Sequence, residues 1–328
     1  MKVYQTEGGN TTGRECALRH LVYSRMSMPL SGTTATARVS GTNDVPVLRR
    51  ATVALMAAIL LSGCGPKPKN QVNPFADTEM PRKIIWAWER PEDLRFLDPK
   101  LYGVAFLAQT ITLEQDRVDV RKRRQPLEIA DGTYVIAVTR IETVKEYGKQ
   151  PTKTPEMADR IAELVMTTLD RRDVRGVQID FDAVASERAF YRMIMKRLAE
   201  SLIAKEKSDD AKHKEAIAAE DAKSEHPDHS YPASVRLTMT SLASWCTGDA
   251  WFNDFPVDEA VPMVFEMGAD SDKIKRYLAN GNDWTEPLCR ASYGLSLEEG
   301  RFDGMKDGRR MYYFSNKPWK ASDLEIIK

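Results

Sequence analysis

The 328 residues carry 48 lysines and arginines against 48 aspartates and glutamates, a formal net charge of zero. No basic stripe with interleaved aromatics interrupts that balance, which excludes nucleic acid as a partner. Of the four cysteines, Cys16 and Cys64 precede the globular part and leave Cys246 and Cys289 as its only pair.

Residues 1–48 are rich in Ser, Thr, Gly and Arg and show no apolar period. They read as a non-native or disordered leader, with the true start near Met28 or at a valine-encoded codon such as Val45 or Val47. Arg49 and Arg50 then precede an uncharged apolar run over 51–61 that leads into Ser62, Gly63 and Cys64. A basic segment, a short apolar stretch and small residues at the cut are the parts of a secretory signal. The run falls short of the roughly 20 apolar residues that a bilayer span needs. A cysteine directly after Ser-Gly resembles a bacterial lipobox, in which the thiol is diacylated and cleavage makes Cys64 the new N-terminus. The expectation is a signal over 49–63 and a membrane partner reached through a lipid anchor on Cys64; the alternative is a fortuitous apolar helix with a buried cysteine. In a Gram-negative host, Gly65 rather than aspartate after that cysteine is similar to the outer-membrane sorting rule, which puts the protein at the outer membrane facing the periplasm. Residues 64–80 are polar and proline-rich and read as an extended tether.

From Pro81 onward about 250 residues remain, the usual length of a TIM barrel. Strand signals fall at 83–89, 103–113, 133–140, 176–182, 235–241, 260–265, 291–295 and 311–314. Eight strands with helical or loop segments between them predict an α/β fold, a (β/α)8 TIM barrel over 81–328. Thr154 followed by Pro155 is an N-cap with proline at the first helical position, and Ile161, Leu164, Val165 and Leu169 keep a helical spacing after it. A second helix starts at Ser186 and gathers Phe190, Tyr191, Ile194, Met195, Leu198 and Leu202 on one face. The alternating stretch 111–120 turns at Gln115 and Asp116, which predicts a hairpin over the barrel rim. The charged, alanine-rich insertion over 204–229 reads as an exposed helical extension or a disordered loop. Its histidines, His213, His226 and His229, have no carboxylate or cysteine at ligand spacing, so neither a metal nor a cofactor is expected.

The working face of such a barrel lies at the C-terminal ends of its strands. In the run Gly-Val-Gln-Ile-Asp-Phe-Asp over 176–182, alternation turns Val177, Ile179 and Phe181 toward the helices and Gln178, Asp180 and Asp182 toward the lumen. Carboxylates aimed into a barrel are costly unless bonded or solvated at an open mouth, so the pattern marks a site. Carboxylates beside strand-end aromatics are what a sugar needs: tryptophan faces stack on pyranose rings while carboxylates bind hydroxyls or deliver a proton. Asp182 and Asp180 are the catalytic candidates, with Glu266 or Glu89 as an opposed second carboxylate of the kind glycosidases use. Trp88, Arg140, Gln178, Trp245 and Asn316 are the substrate-binding candidates for a poly- or oligosaccharide. Each also has a structural reading: Trp86 and Trp88 as packing between strand and helix, Glu89 with Arg140 as an ion pair, and Asp258 and Glu259 as caps for loop amides. In an exported chain Cys246 and Cys289 make a candidate disulfide, with two separate buried thiols as the alternative.

The run over 176–182 resembles the strand-four signature of glycoside hydrolase family 18, Asp-Gly-x-Asp-x-Asp-x-Glu, from its glycine on. Asp180 falls on the last aspartate and Asp182 on the catalytic glutamate, one methylene shorter, while Gln178 and Arg175 stand where the signature has its other aspartates. Four longer motifs, over 85–94, 176–183, 241–246 and 257–263, resemble in order the bacterial family called domain of unknown function 3142. That resemblance implies a glycosidase-like barrel and brings no established activity. The readings that follow are an envelope lipoprotein that binds and hydrolyses a glycan, or a non-catalytic glycan-binding or assembly module with a degenerate site.

Overall fold

The computed structural model of the chain describes residues 80–171, 173–221, 234–249 and 251–327. The expected leader, the signal, Cys64 and the tether up to residue 79 lie outside the described residues, as do 222–229 of the charged insertion.

Eight parallel strands form a closed barrel: β1 (Lys83–Ala87), β3 (Tyr102–Glu114), β6 (Tyr134–Thr143), β7 (Val174–Asp180), β8 (Arg236–Leu242), β9 (Glu259–Met263), β10 (Ser292–Ser296) and β11 (Arg310–Phe314). Each pairs with the next in chain order, and β11 returns to β1 while β1 also pairs with β3, which closes the ring. This is the expected TIM barrel, with every expected strand present. The expected hairpin is present as well: β4 (Arg117–Lys122) runs antiparallel to the overlong β3 after a turn in which Gln115 has a φ of 49°. Two short strands, β2 (Glu92–Leu94) and β5 (Leu127–Ile129), pair with each other beside the barrel.

Three α-helices cover the outside among the described residues: α1 (Pro155–Met166), α2 (Arg188–Asp221) and α3 (Ser271–Ala279). Thr154 caps α1 by accepting the Met157 amide, and Met157, Ile161, Leu164 and Val165 bury its inner face. A fully buried side chain of this size contributes about 1.5–3 kcal/mol. α2 begins after a 3-10 turn at Ala185–Glu187 and packs through Phe190, Tyr191, Ile194, Met195 and Leu198. Beyond Leu202 no described side chain of the helix joins the core, and it continues as a charged extension with Lys205 paired to Asp209 at 2.7 Å. The crossing from β8 to β9 carries no α-helix; there Trp245, Trp251, Phe252 and Phe255 bury their apolar area against one another and against Tyr191.

Alternation along the strands sorts two cores. One lies between barrel and helices, and the other fills the lumen with Ile84, Trp86, Ala105, Leu107, Tyr134, Ile136, Val138, Val261 and Tyr312. Trp86 therefore sits inside the barrel, not between strand and helix, because it shares the inward parity of Ile84. A Cβ on Gly294 would stand 2.7 Å from the Trp86 ring, so glycine there makes room for the indole. Glu259, expected as a loop cap, is instead buried at the N-terminal end of the lumen. It accepts from Arg310 Nη1 at 2.9 Å and from the Tyr312 hydroxyl at 2.5 Å. Asp258 behaves as expected, accepting the Leu237 amide at 2.9 Å.

Candidate active site at the barrel mouth

Arg140 lies on the inward row of β6, in register with Asp180, the last residue of β7. The strand stops there, so Asp182 lies beyond it and is solvent-exposed at the rim, not aimed into the lumen as the alternation had it. Asp180 accepts a hydrogen bond from Thr240 Oγ1 of β8 at 2.7 Å, and Arg140 Nε stands 3.9 Å from its other oxygen. The same Nε lies 3.1 Å from Glu142, so one cation serves two carboxylates. Arg140, Glu142 and Asp180 line a cleft of about 180 Å³ together with Thr143, Lys145 and Asp182.

The electrostatics follow from that shortage of positive charge. Burial pushes the Asp180 carboxyl up to about 6, the Asp182 charge adds to the rise, and Thr240 and Arg140 pull the other way. Although Asp182 meets solvent at the rim, the protein packed around its carboxyl raises it as well, opposed by Arg140 and Lys145. No described residue donates a hydrogen bond to Asp182, which leaves its oxygens available to a ligand. Lys145 is itself tied at 2.7 Å to Glu187, a buried acid that also accepts from Thr143 and from the Val184 amide. Beneath the pair, burial raises the Tyr191 phenol far above its ordinary value, as do the charges of Asp180 and Asp182, and its hydroxyl has no hydrogen-bond partner among the described residues.

The other half of the mouth is aromatic. Phe265, just past β9, stacks on Phe314 of β11 with centroids 5.5 Å apart and planes 8° from parallel. Trp88 meets Phe314 edge to face at 6.2 Å, and the Arg140 guanidinium lies 6.0 Å from the centre of the Trp88 ring. All three rings are half-buried. Below them Trp86 closes the floor, donating through its indole N–H to Gln178 Oε1 at 2.8 Å while the Gln178 amide donates to Thr238 at 3.2 Å.

Of the expected site residues, Asp180, Asp182, Arg140, Trp88 and Gln178 come together at this mouth. The others do not. Glu89 pairs with Arg121 of β4 at 2.6 Å and not with Arg140, because the hairpin brings a closer cation. Glu266 is exposed with φ 49°, its amide donating to Glu299, and it does not line the cleft. Trp245 is 4% exposed and packs on Trp251 at 5.0 Å, so it belongs to the core and not to the ligand surface. Asn316 is exposed, and its backbone N–H donates to the Glu298 carboxylate at 2.9 Å. Cys246 and Cys289 are disulfide-bonded. Phe265, Phe314, Glu142, Lys145 and Thr240 were not singled out; extending the inward rows from Val261, Tyr312 and Arg140 would have found the first three. Among the described residues no group of three or more His, Cys, Asp and Glu is arranged to hold a metal.

No protein-family model matches the chain, and no curated protein matches it. Among solved structures it is similar to the apo form of an endo-beta-N-acetylglucosaminidase from Cordyceps militaris, at 11% identity and a TM-score of 0.38. That likeness covers 73% of this chain and 82% of the other.

Proposed function

We propose that the barrel mouth binds a glycan. The observation that carries this reading is the pairing of a half-buried ring set, Trp88, Phe265 and Phe314, with an under-neutralised carboxylate pair across one opening. Rings of this kind stack on the apolar faces of sugars, and Asp182, with no hydrogen bond of its own, accepts from hydroxyls. The closed floor of Trp86 and Gln178 makes the mouth a surface cleft and not a channel. A screen of the purified protein against cell-wall and capsular oligosaccharides tests it; no binding across the panel would end it.

A second reading, hydrolysis, is favoured by the raised carboxyls. Two neighbouring carboxyls both raised above their ordinary range, Asp180 to about 6, are shifted in the direction that a general acid needs. Asp182 then delivers its proton to the glycosidic oxygen as the bond from that oxygen to the anomeric carbon breaks, a water molecule adds to the anomeric carbon and returns a proton to the carboxylate, and Asp180 tunes the acid. Neither Glu89 nor Glu266 supports this as an opposed carboxylate, so it rests on the pair alone. Release of reducing ends by the wild type and its loss in Asp182→Asn is the expected result for a hydrolase. Binding without release leaves a non-catalytic module, a reading that the neutral, locked Gln178 favours.

In this reading the chain is an envelope lipoprotein anchored through Cys64, at the outer membrane and facing the periplasm. The lipobox-like run supports it, and the Cys246–Cys289 bond suits an oxidising compartment. Mass spectrometry of the native N-terminus tests it; peptides from residues 1–40 would contradict it. The four ordered motifs support membership of the family of domain of unknown function 3142.

A further inference from the structure

Trp88 stands on a short turn between β1 and β2, and that turn is held from the side by Arg123, just past β4. The Arg123 amide donates to the Ala108 carbonyl of β3 at 2.8 Å, which roots the residue in the barrel wall. Its guanidinium then donates only to main-chain carbonyls. Nε reaches Gln125 O at 3.0 Å, Nη1 reaches Ala87 O at 3.3 Å and also Trp88 O, and Nη2 reaches Arg90 O at 2.5 Å and Pro126 O at 3.5 Å. Two of these five acceptors, Trp88 and Arg90, belong to the turn that carries the ring, and a third, Ala87, ends β1 just before it.

Among the described residues no carboxylate pairs with Arg123. The acids around it are committed elsewhere, Glu89 to Arg121 and Glu92 to Arg90, each at 2.6 Å. A guanidinium offers five donors in a planar fork, whereas a lysine ammonium offers three from a single point and cannot span carbonyls separated along the chain. The far side of the turn is tied as well: Arg90 Nη2 donates to Ser315 O at 2.8 Å and the Trp319 indole donates to Trp86 O at 3.0 Å. The turn is thus fixed between β11 and the hairpin before any ligand arrives.

We infer that Arg123 is a positioning residue for the mouth: it sets the backbone of the Trp88 turn and so presents the Trp88 ring to the ligand. An aromatic platform held in place costs no ordering when a sugar stacks on it, and that saving appears as affinity. The role in binding rests on the glycan reading; the role in placing the ring does not.

The test uses the full chain labelled with 5-fluorotryptophan, with the Trp88 signal assigned by its loss in Trp88→Phe. In Arg123→Lys and Arg123→Met the fluorine resonance of Trp88 is expected to move or broaden while those of Trp245, Trp251 and Trp284 stay in place. A Trp88 signal unchanged in both variants would overturn the inference, and so would a common shift of all the tryptophan signals, which would mean a general loss of structure. Calorimetry with the oligosaccharide that binds best in the panel supplies the second arm. Arg123→Met is expected to weaken binding by about tenfold in the wild-type background and to add nothing in Trp88→Ala; equal losses in both backgrounds would contradict a role through Trp88. If the wild type binds no member of the panel, the glycan reading fails, and the fluorine spectra still decide whether Arg123 places the ring.

Discussion

The two ends of the lumen treat charge in opposite ways. At the N-terminal end Glu259, Arg310 and Tyr312 are buried together, and each oxygen of the acid meets a donor. At the mouth Asp180, Asp182 and Glu142 share Arg140, with Lys145 drawn off to Glu187. A matched buried pair holds a fold together once it has formed, whereas a mismatched pair at an opening stores cost that a ligand can relieve. In barrels of this kind the closed end reads as stability and the C-terminal face as function, and the charge inventory of this chain divides along the same line.

The largest effect is expected from breaking the matched end. Arg310→Met leaves Glu259 buried without its cation and is expected to cost about 3–5 kcal/mol in urea unfolding. A loss under 1 kcal/mol would mean that the closed end contributes little. The mouth responds with the opposite sign. Because the Asp180 carboxyl is raised in the folded state to about 6, folding holds its proton more tightly than the unfolded chain does. Its contribution is therefore most favourable below pH 4 and is lost as pH rises toward 6. The side chain is only 12% exposed, so the cost is little screened. Asp180→Asn, which keeps the acceptor for Thr240, is expected to stabilise the protein by about 2–3 kcal/mol at pH 8 and hardly at all at pH 3. Equal stability of the two proteins at pH 8 would remove the stored cost.

Between the two ends, Gly294→Ala sets a methyl against the Trp86 ring and is expected to cost about 1–3 kcal/mol by thermal or urea unfolding. The smallest effect belongs to the rim. Glu266 holds a left-handed backbone, so Glu266→Gly is expected to relieve strain and, with an offset from the added freedom of the unfolded chain, to shift stability by no more than about 1 kcal/mol while leaving glycan binding intact. Lost binding in that variant would return Glu266 to the site.

The barrel was legible in the sequence because its strands alternate between two cores, which made the inward row of β7 readable with no knowledge of its neighbours. Alternation could not see where β7 stops, so it aimed Asp182 inward, where the chain in fact has left the sheet. Pairings between distant residues were beyond it too. Glu89 was matched to Arg140 because both end strands, and only the folded hairpin brings Arg121 closer. Trp245 escapes the alternation for a related reason: it lies in a 3-10 turn, where period-two reasoning has no hold, and its aromatic neighbours come from the loop after it. Phe265 and Phe314 are within reach of the same alternation, as the last residues of the strand signals at 260–265 and 311–314.

The most direct test of the division between the two ends is calorimetric titration of a bound oligosaccharide into the wild type, Trp88→Ala and Arg310→Met, at a temperature where all three remain folded. The expected result is that Trp88→Ala weakens binding by about tenfold or more, as loss of one stacking ring should, while Arg310→Met binds as tightly as the wild type despite its lower stability. Binding that survives in Trp88→Ala, or that falls equally in both variants, would contradict a glycan site at the mouth.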